Sequence, residues 1–280
     1  MGHNESQVLD TAIRAARAGG ELALARLGKP GFKKWKAPRE PLAGAVLEIQ
    51  ERVVEVIRGD FPDHPILAEE SDAPQDTGAD PLWIIDPLDG SLNFLQGIPQ
   101  FAVSVGYREH GKYRVGVVYD PCRDELFQAV LNGGAFLNGK AIHAEQFSDG
   151  ADAFHAAVVG TDWIGDHDQL KRAFQITRML VSEVLQIRSF GSPTLGLCYV
   201  AAGRLHAYFG LEHLKLWDLA AASVIIKEAG GVLTDIDGGT WNYSEEGYLA
   251  TNGVIHGSVL GILAGARRMQ RSARALRQSE

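Results

Sequence analysis

The clearest chemical signal in the sequence is a pair of aspartates three residues apart. Asp86 and Asp89 belong to the run Asp-Pro-Leu-Asp-Gly-Ser, which follows the apolar residues 83–85. Hard divalent cations such as Mg²⁺ prefer carboxylate and carbonyl oxygens, so a strand that ends in two carboxylates is suited to hold them. Aspartate, proline and glycine also make ordinary surface turns, and this run alone leaves both interpretations open.

The neighbours of these aspartates favour an anion site beside the cation site. Pro87 fixes one torsion and removes one amide donor, which stiffens the turn. Gly90 lets the backbone approach a ligand closely. The amides of Gly90 and Ser91 could then face a phosphate oxygen at the start of the following turn.

Three further acids lie at the ends of predicted elements elsewhere in the chain. Glu69 and Glu70 follow the strand-like residues 66–68, and adjacent acids repel each other unless a cation or a basic group offsets them. Asp218 begins a predicted helix after Trp217, where a carboxylate is also favoured as a cap. A solvated strand end and a helix cap therefore remain alternatives. The set as a whole favours a metal site.

Composition excludes several classes of protein. The chain has 280 residues, 45% of them hydrophobic, and a formal net charge of −8, which argues against a nucleic-acid binder held by phosphate contacts. Cys122 and Cys198 lie far apart, so neither a disulfide framework nor a zinc site is indicated. No apolar run approaches the roughly 20 residues of a membrane span. We expect a soluble cytoplasmic protein without nucleic-acid or membrane partners.

Hydrophobic periodicity predicts two helices followed by a sheet in the first half of the chain. One helix runs from Asn4 to Leu27, and a second begins near Leu42 with its apolar residues on one face. Short β-rich runs then predict a largely antiparallel sheet, with strands at 66–67, 82–85, 101–107, 114–119 and 125–130.

The second half alternates between helix and strand. Helices are predicted at 168–185, 193–202 and 218–229, and strands at 186–190, 207–209 and 232–234. We therefore predict one unit over 1–280, with an N-terminal α+β half at about 1–150 and a C-terminal α/β half at about 151–265. The basic segment 265–274 is predicted to form a surface helix.

Three ordered motifs resemble the inositol monophosphatase family. They are Ala68-Glu-Glu-Ser71, the run Trp-Ile-Ile-Asp-Pro-Leu-Asp-Gly-Ser-Leu-Asn-Phe at 83–94, and the segment 217–231, which begins Trp-Asp-Leu-Ala-Ala-Ala and ends Lys-Glu-Ala-Gly-Gly. The likeness extends from the opening helix to about Gly257. It implies an α+β fold, layered as an αβαβα sandwich of the inositol monophosphatase and fructose-1,6-bisphosphatase type. It also implies Mg²⁺-dependent phosphatase activity, inhibition by lithium and a homodimer.

The resemblance further implies a role for each matching residue. The metal ligands would be Glu69, Asp86, the carbonyl of Leu88, Asp89 and Asp218. Residues acting in catalysis would be Glu69, Asp89 and Ser91, of which Ser91 helps to orient the attacking water. Substrate-binding residues would be Gly90, Ser91, Gly191, Ser192, Glu212 and Asp218, with the amides of Gly90 and Ser91 taking the phosphate.

The sequence departs from the family pattern in two places. Val46 stands where the family has an aspartate that supports a further metal and helps to activate water. Glu48 is a poor replacement, because two residues along a helix correspond to about 200° of rotation away from the apolar face. We therefore expect two Mg²⁺ sites and no firmly held third. The loop before Trp217 has an added residue, which makes Glu212 the candidate for gripping a substrate hydroxyl.

These observations predict Mg²⁺-dependent hydrolysis of a small phosphate monoester, such as inositol monophosphate or a related polyol or sugar phosphate. Two alternatives stay open. One is a sister activity on histidinol phosphate, fructose bisphosphate or 3′-phosphoadenosine phosphate. The other is a metal-binding regulatory protein with little catalysis, which the apolar Val46 would permit.

Overall fold

Helices cover one face of a large sheet in the first half of the chain. The computed structural model describes residues 4–29, 31–37, 40–71, 78–144, 152–163, 167–211, 215–241 and 247–266. Its first elements are α1 (Glu5–Arg26), the hairpin β1 (Phe32–Ala37) and β2 (Glu40–Ala43), and α2 (Gly44–Asp60). The hairpin was not predicted. The second helix therefore begins two residues later than expected, because Leu42 pairs with Lys34 across the hairpin.

The seven-stranded sheet follows in nearly consecutive order. Its strands are β3 (Ile66–Ala68), β4 (Leu82–Asp89), β5 (Ala102–Glu109), β6 (Lys112–Asp120), β7 (Glu125–Val130), β8 (Gly134–Leu137) and β9 (Lys140–Ala141). Only β3 and β4 pair in parallel, so the prediction of a largely antiparallel sheet is confirmed. The strands β8 and β9 were missed because they are only four and two residues long.

The second sheet has five strands and mixed pairing. Its strands are β10 (Val158–Thr161), β11 (Gln186–Arg188), β12 (Ala207–Gly210), β13 (Val232–Thr234) and β14 (Tyr248–Thr251), in the spatial order β11-β10-β12-β14-β13. The three strands β10, β11 and β12 are parallel, whereas β14 runs antiparallel to both of its neighbours. Neither β10 nor β14 was predicted, since each is a four-residue run without a clear alternation.

The remaining helices lie between and outside the sheets. They are α3 (Ser91–Leu95), α4 (His167–Leu180), α5 (Pro193–Ala201) and α6 (Leu216–Glu228), followed by α7, whose described part covers 256–266. The helix predicted at 168–185 was too long, since α4 ends at Leu180. Most of the predicted basic surface helix at 265–274 lies outside the described residues.

Three buried clusters define the layers. One joins α1 and α2 to the outer face of the seven-stranded sheet, a second fills the space between the sheets with α5 and α6, and a third joins α4 and α7 to the five-stranded sheet. Glycines allow this close packing: a Cβ at Gly116 on β6 would stand 2.2 Å from the carbonyl oxygen of Ala221 on α6. The αβαβα layering confirms the predicted fold. In the described part of the chain, every helix is too short or too polar to cross a lipid bilayer.

Candidate metal and phosphate site

A bulge in β4 places both aspartates on the same face of the sheet. Asp86 lies opposite Ser104 on β5 and Asp89 lies opposite Ala102, so three steps along β4 correspond to two along β5. Ser104 and Ala102 are two residues apart on β5 and therefore point to the same face of the sheet. Their partners Asp86 and Asp89 share that face, which packs toward α5 and α6. Pro87 suits the bulge, since it has no amide hydrogen to pair.

Glu69 and Asp218 bring two more acids to the same place. Glu69 follows β3, the parallel neighbour of β4, and its amide donates to the carbonyl of Ile85 at 3.2 Å. Burial raises the pKa of Asp86 well above its ordinary range, and the charges of Glu69, Asp89 and Asp218 raise it further. The amide of Leu88, which donates to Asp86 Oδ1 at 2.8 Å, acts in the opposite direction. The fold therefore gathers the four predicted acids.

Asp218 also caps a helix, which was the alternative interpretation of this residue. Its Oδ2 accepts a hydrogen bond from the amide of Lys215 at 2.7 Å, which makes Lys215 the N-cap and Asp218 the third residue of α6. The helix thus begins two residues before the predicted position. The capping bond orients the first turn of α6, and the charge of Asp218 still reaches Asp86.

Asp89 is held by the beginning of α5. Its side chain accepts hydrogen bonds at Oδ2 from the hydroxyl of Ser192 and from the amide of Thr194, the latter at 3.1 Å. Burial raises the pKa of Asp89 to about 7, the charges of Asp162 and Glu69 add to the rise, and the two hydrogen bonds oppose it. Asp89 is only 6% exposed. Its ionised form is therefore costly in this environment.

The carboxylate oxygens of these acids are the kind of ligand that a hard cation prefers, but they do not surround a common point. Among the described residues, no three Asp, Glu, His or Cys side chains surround a single point at metal-binding spacing. Asp86, Asp89 and Asp218 each direct one oxygen to a protein donor instead. Within the same residues, no lysine or arginine pairs with Asp86 or Asp89. A divalent cation would offset the repulsion that remains among these buried acids.

Gly90 forms a turn that no residue with a side chain would fit. Its φ is +83°, and a Cβ there would stand 2.9 Å from the carbonyl oxygen of Gln100 and 3.1 Å from that of Gly191. Ser91 begins α3, whose first backbone bond runs from the amide of Phe94 to the carbonyl of Gly90 at 3.1 Å. The preceding amides of a helix have no partner inside the helix, so they are donors suited to an anion.

Asn93 ties this turn to the loop of residues 189–192. Its Nδ2 lies 2.7 Å from the carbonyl of Phe190, 2.8 Å from that of Gln100 and 3.2 Å from that of Gly191. The loop that carries the predicted substrate-side residues Gly191 and Ser192 therefore lies directly against the Gly90 turn. Glu212, the other predicted substrate contact, lies outside the described residues. Sequence reasoning assigned Asn93 no positioning role, because its partners are almost all distant in the chain.

Val46 is an apolar residue in the buried contact between α2 and the seven-stranded sheet. It is 2% exposed and belongs to the buried cluster that contains Ala68 and Leu88. One helical turn later on the same face, Gln50 Oε1 accepts from the amide of Glu70 at 2.9 Å. This face of α2 therefore adjoins the turn of Glu69 and Glu70, which we call the acidic turn. Glu48 points away from this face, as predicted, and it pairs with Arg26 at 2.6 Å on the surface.

Comparison with known proteins identifies the family and the relatives of this chain. The family model described as the inositol monophosphatase family matches residues 4–270. The chain belongs to this family. The Nus factor SuhB of Pasteurella multocida is 39% identical over 250 residues, which cover 86% of this chain and 90% of that protein. The fructose-1,6-bisphosphatase/inositol-1-monophosphatase of Thermotoga maritima is 33% identical over 256 residues, which cover 91% of this chain and 95% of that protein.

A solved structure agrees with these matches in sequence. The crystal structure of the extragenic suppressor protein suhB from Bartonella henselae has a TM-score of 0.85 and 30% identity, and the match covers 92% of this chain and 98% of that one. The resemblance inferred from the three motifs is therefore confirmed for both family and fold. Relatives in this family include phosphatases, and they also include proteins named as Nus factors.

Proposed function

We propose that the protein hydrolyses a small phosphate monoester with the help of Mg²⁺. The observation that carries the proposal is the placement of Asp86 and Asp89, buried on one face of the sheet, within reach of the charges of Glu69 and Asp218. The turn at Gly90 and Ser91, which we propose binds the phosphate and call the phosphate turn, adjoins them. Clustering several acids in the interior costs stability, so this arrangement is best explained by a cation that binds there.

One set of residues would bind the metal, and another would bind the substrate. The side chains of Glu69, Asp86, Asp89 and Asp218, with the carbonyl of Leu88, would hold Mg²⁺, at two sites. Bound there, Mg²⁺ would supply Lewis-acid neutralisation of the charge that develops on the phosphate and on the leaving oxygen. The amides of Gly90 and Ser91 bind the phosphate, while Glu69 and the hydroxyl of Ser91 orient the attacking water.

The substrate class follows from the family and from the residues beside the turn. Inositol monophosphate or a related polyol or sugar phosphate is the proposed substrate, and the Thermotoga maritima relative is named for both a sugar bisphosphate and an inositol phosphate. Gly191, Ser192 and Glu212 would contact the alcohol part of the ester. We further propose inhibition by lithium, a homodimer and a cytoplasmic location.

Phosphate release from a substrate panel tests this proposal. The panel contains inositol, sugar, histidinol and nucleotide phosphates, each measured against Mg²⁺ concentration. The blank is Asp89→Asn, which keeps the shape of the side chain and removes its charge. The matched control is Asp235→Asn, because Asp235 accepts from the amides of Asp237 and Gly239 within its own turn. We expect release by the wild type and the control but not by the blank.

A second candidate is a regulatory protein that keeps the metal site and has little catalysis. It is favoured by the 39% identity to a protein named as a Nus factor and by the buried apolar Val46, which stands where the family resemblance implies an aspartate. On this alternative, Mg²⁺ would raise the melting temperature of the wild type but not of Asp89→Asn. Phosphate release would equal that of the blank on every ester of the panel.

A further inference from the structure

Asp162 is a buried carboxylate at the end of β10 to which the proposed chemistry gives no role. It is 3% exposed. Its Oδ1 accepts from the hydroxyl of Ser189 at 2.7 Å and from the amides of Phe190 and Gly191, each at 2.8 Å. Its Oδ2 accepts from the hydroxyl of Tyr208. These donors are all neutral, so hydrogen bonds rather than an ion pair hold this carboxylate.

The 189–192 loop that Asp162 holds touches both parts of the candidate site. The carbonyl oxygen of Gly191 lies 3.1 Å from the position that a Cβ of Gly90 would occupy. The next residue, Ser192, is fully buried and donates its hydroxyl to Asp89. One loop of four residues therefore connects Asp162 to the phosphate turn and to a proposed metal ligand.

The two amides directed at one oxygen fix the orientation of the loop backbone. With the amides of Phe190 and Gly191 turned toward Asp162, the carbonyls of the same residues face Asn93, which donates to both. Gly191 has a φ of +66°, a conformation that glycine adopts without strain. The loop is thus clamped on one side by Asp162 and on the other by Asn93.

We propose that Asp162 is a positioning residue, which fixes the 189–192 loop so that Ser192 and Gly191 hold Asp89 and the Gly90 backbone in their working places. Asp162 acts through the geometry of its hydrogen bonds and does not touch the substrate. Groups that orient metal ligands in this way typically change metal affinity or activity about 10–100-fold when they are removed. The activity readout of this inference rests on the proposed function.

The test compares two substitutions of Asp162 with a matched control. Asp162→Ala removes every acceptor, and we expect kcat to fall about 10–100-fold and the half-saturating Mg²⁺ concentration to rise about tenfold. Asp162→Asn keeps the Oδ1 acceptor and should restore both values to within about threefold of the wild type. Asp235→Ala removes another carboxylate that accepts from backbone amides, and it should alter the melting temperature without altering kcat or the Mg²⁺ requirement.

Several outcomes would overturn the inference. The inference is wrong if folded Asp162→Ala keeps the kcat and the Mg²⁺ requirement of the wild type. It is also wrong if Asp162→Asn is as impaired as Asp162→Ala. If Asp162→Ala does not fold, the double variant Ser189→Ala/Tyr208→Phe removes the two hydroxyl donors only. A rise of about threefold in half-saturating Mg²⁺ is then expected, and no rise would count against the inference.

Failure of the proposed function gives a different result. A wild type that releases no phosphate from any ester would end that proposal alone. The positioning role would then be measured as the rise in melting temperature caused by Mg²⁺ with inorganic phosphate. A smaller rise in Asp162→Ala than in Asp235→Ala supports the role, and an equal rise contradicts it. No rise in the wild type would overturn both proposals.

Discussion

Val46→Asp is the substitution that most sharply probes the departure of this chain from its family. Val46 lies on the face of α2 that adjoins the acidic turn, one helical turn before Gln50, which binds the amide of Glu70. An aspartate there would restore the family's carboxylate beside the proposed metals. We expect it to lower the half-saturating Mg²⁺ concentration about tenfold and to raise kcat at least about tenfold, in the lower range of general-base effects.

The same substitution has a cost that the structure allows us to estimate. Val46 is 2% exposed, and losing its burial costs about 1.5–3 kcal/mol. Desolvating a polar group in its place adds about 1–3 kcal/mol. A total of about 2.5–6 kcal/mol corresponds to a fall in melting temperature of about 5–12 °C for a chain of this size without Mg²⁺. Tenfold tighter Mg²⁺ binding should return about 1.4 kcal/mol, or about 3 °C.

Thermal unfolding and phosphate release, each with and without Mg²⁺, measure both effects. Val46→Asn is the matched control for shape, because it loses the same apolar packing and gains no charge. Val53→Asp is the control for position, since Val53 is fully buried further along the same face of α2. If Val46→Asp and Val46→Asn respond alike to Mg²⁺ in both assays, position 46 does not adjoin the metals and the reasoning is refuted.

Three further predictions concern the site and its surroundings. In EDTA, Asp89→Asn should be more stable than the wild type at pH 7 and equal to it near pH 4. Burial raises the pKa of Asp89 from the roughly 3.9 of an unfolded aspartate to about 7, so stability present at low pH is lost as the pH rises through this window. Melting curves across this range test it, and a wild type that stays the more stable at pH 7 would contradict it. Gly191→Ala should destabilise the fold by more than Gly139→Ala in chemical unfolding. Both have positive φ, but only the Cβ at position 191 would meet Asn93, at 2.9 Å, so equal losses would exclude this clash. Glu48→Ala should cost at most about 1 kcal/mol and leave the Mg²⁺ dependence of phosphate release unchanged, because its ion pair is about half exposed. A changed Mg²⁺ requirement would mean that Glu48 reaches the site after all.

The sequence could place the four candidate acids in or beside their elements because those elements have strong local patterns. β4 begins with a run of apolar residues, and both carboxylates lie in its second half. The bulge that turns Asp86 and Asp89 to one face could not be predicted. It depends on how β4 pairs with β5, and a change of one residue in that register reverses the face of a side chain.

The residues that support the candidate site, Asp162 and Asn93, could not be predicted from the sequence for a related reason. Asp162 and Asn93 find their partners in the 189–192 loop, and these contacts exist only once both sheets and α5 have packed. β10, which positions Asp162, is short and carries a glycine, so its sequence favours no single element. Hydrogen bonds between distant segments leave no periodic signal in a sequence.

The most direct test of a metal-dependent phosphatase site is an anomalous difference map from crystals soaked in Mn²⁺ and inorganic phosphate. We expect Mn²⁺ peaks between Asp86 and Asp89, within ligand distance of Glu69 or Asp218, and phosphate against the amides of Gly90 and Ser91. The same soak of Asp89→Asn crystals should lose at least one peak. Density for Mn²⁺ elsewhere, or none at these carboxylates in the wild type, would contradict the proposed function.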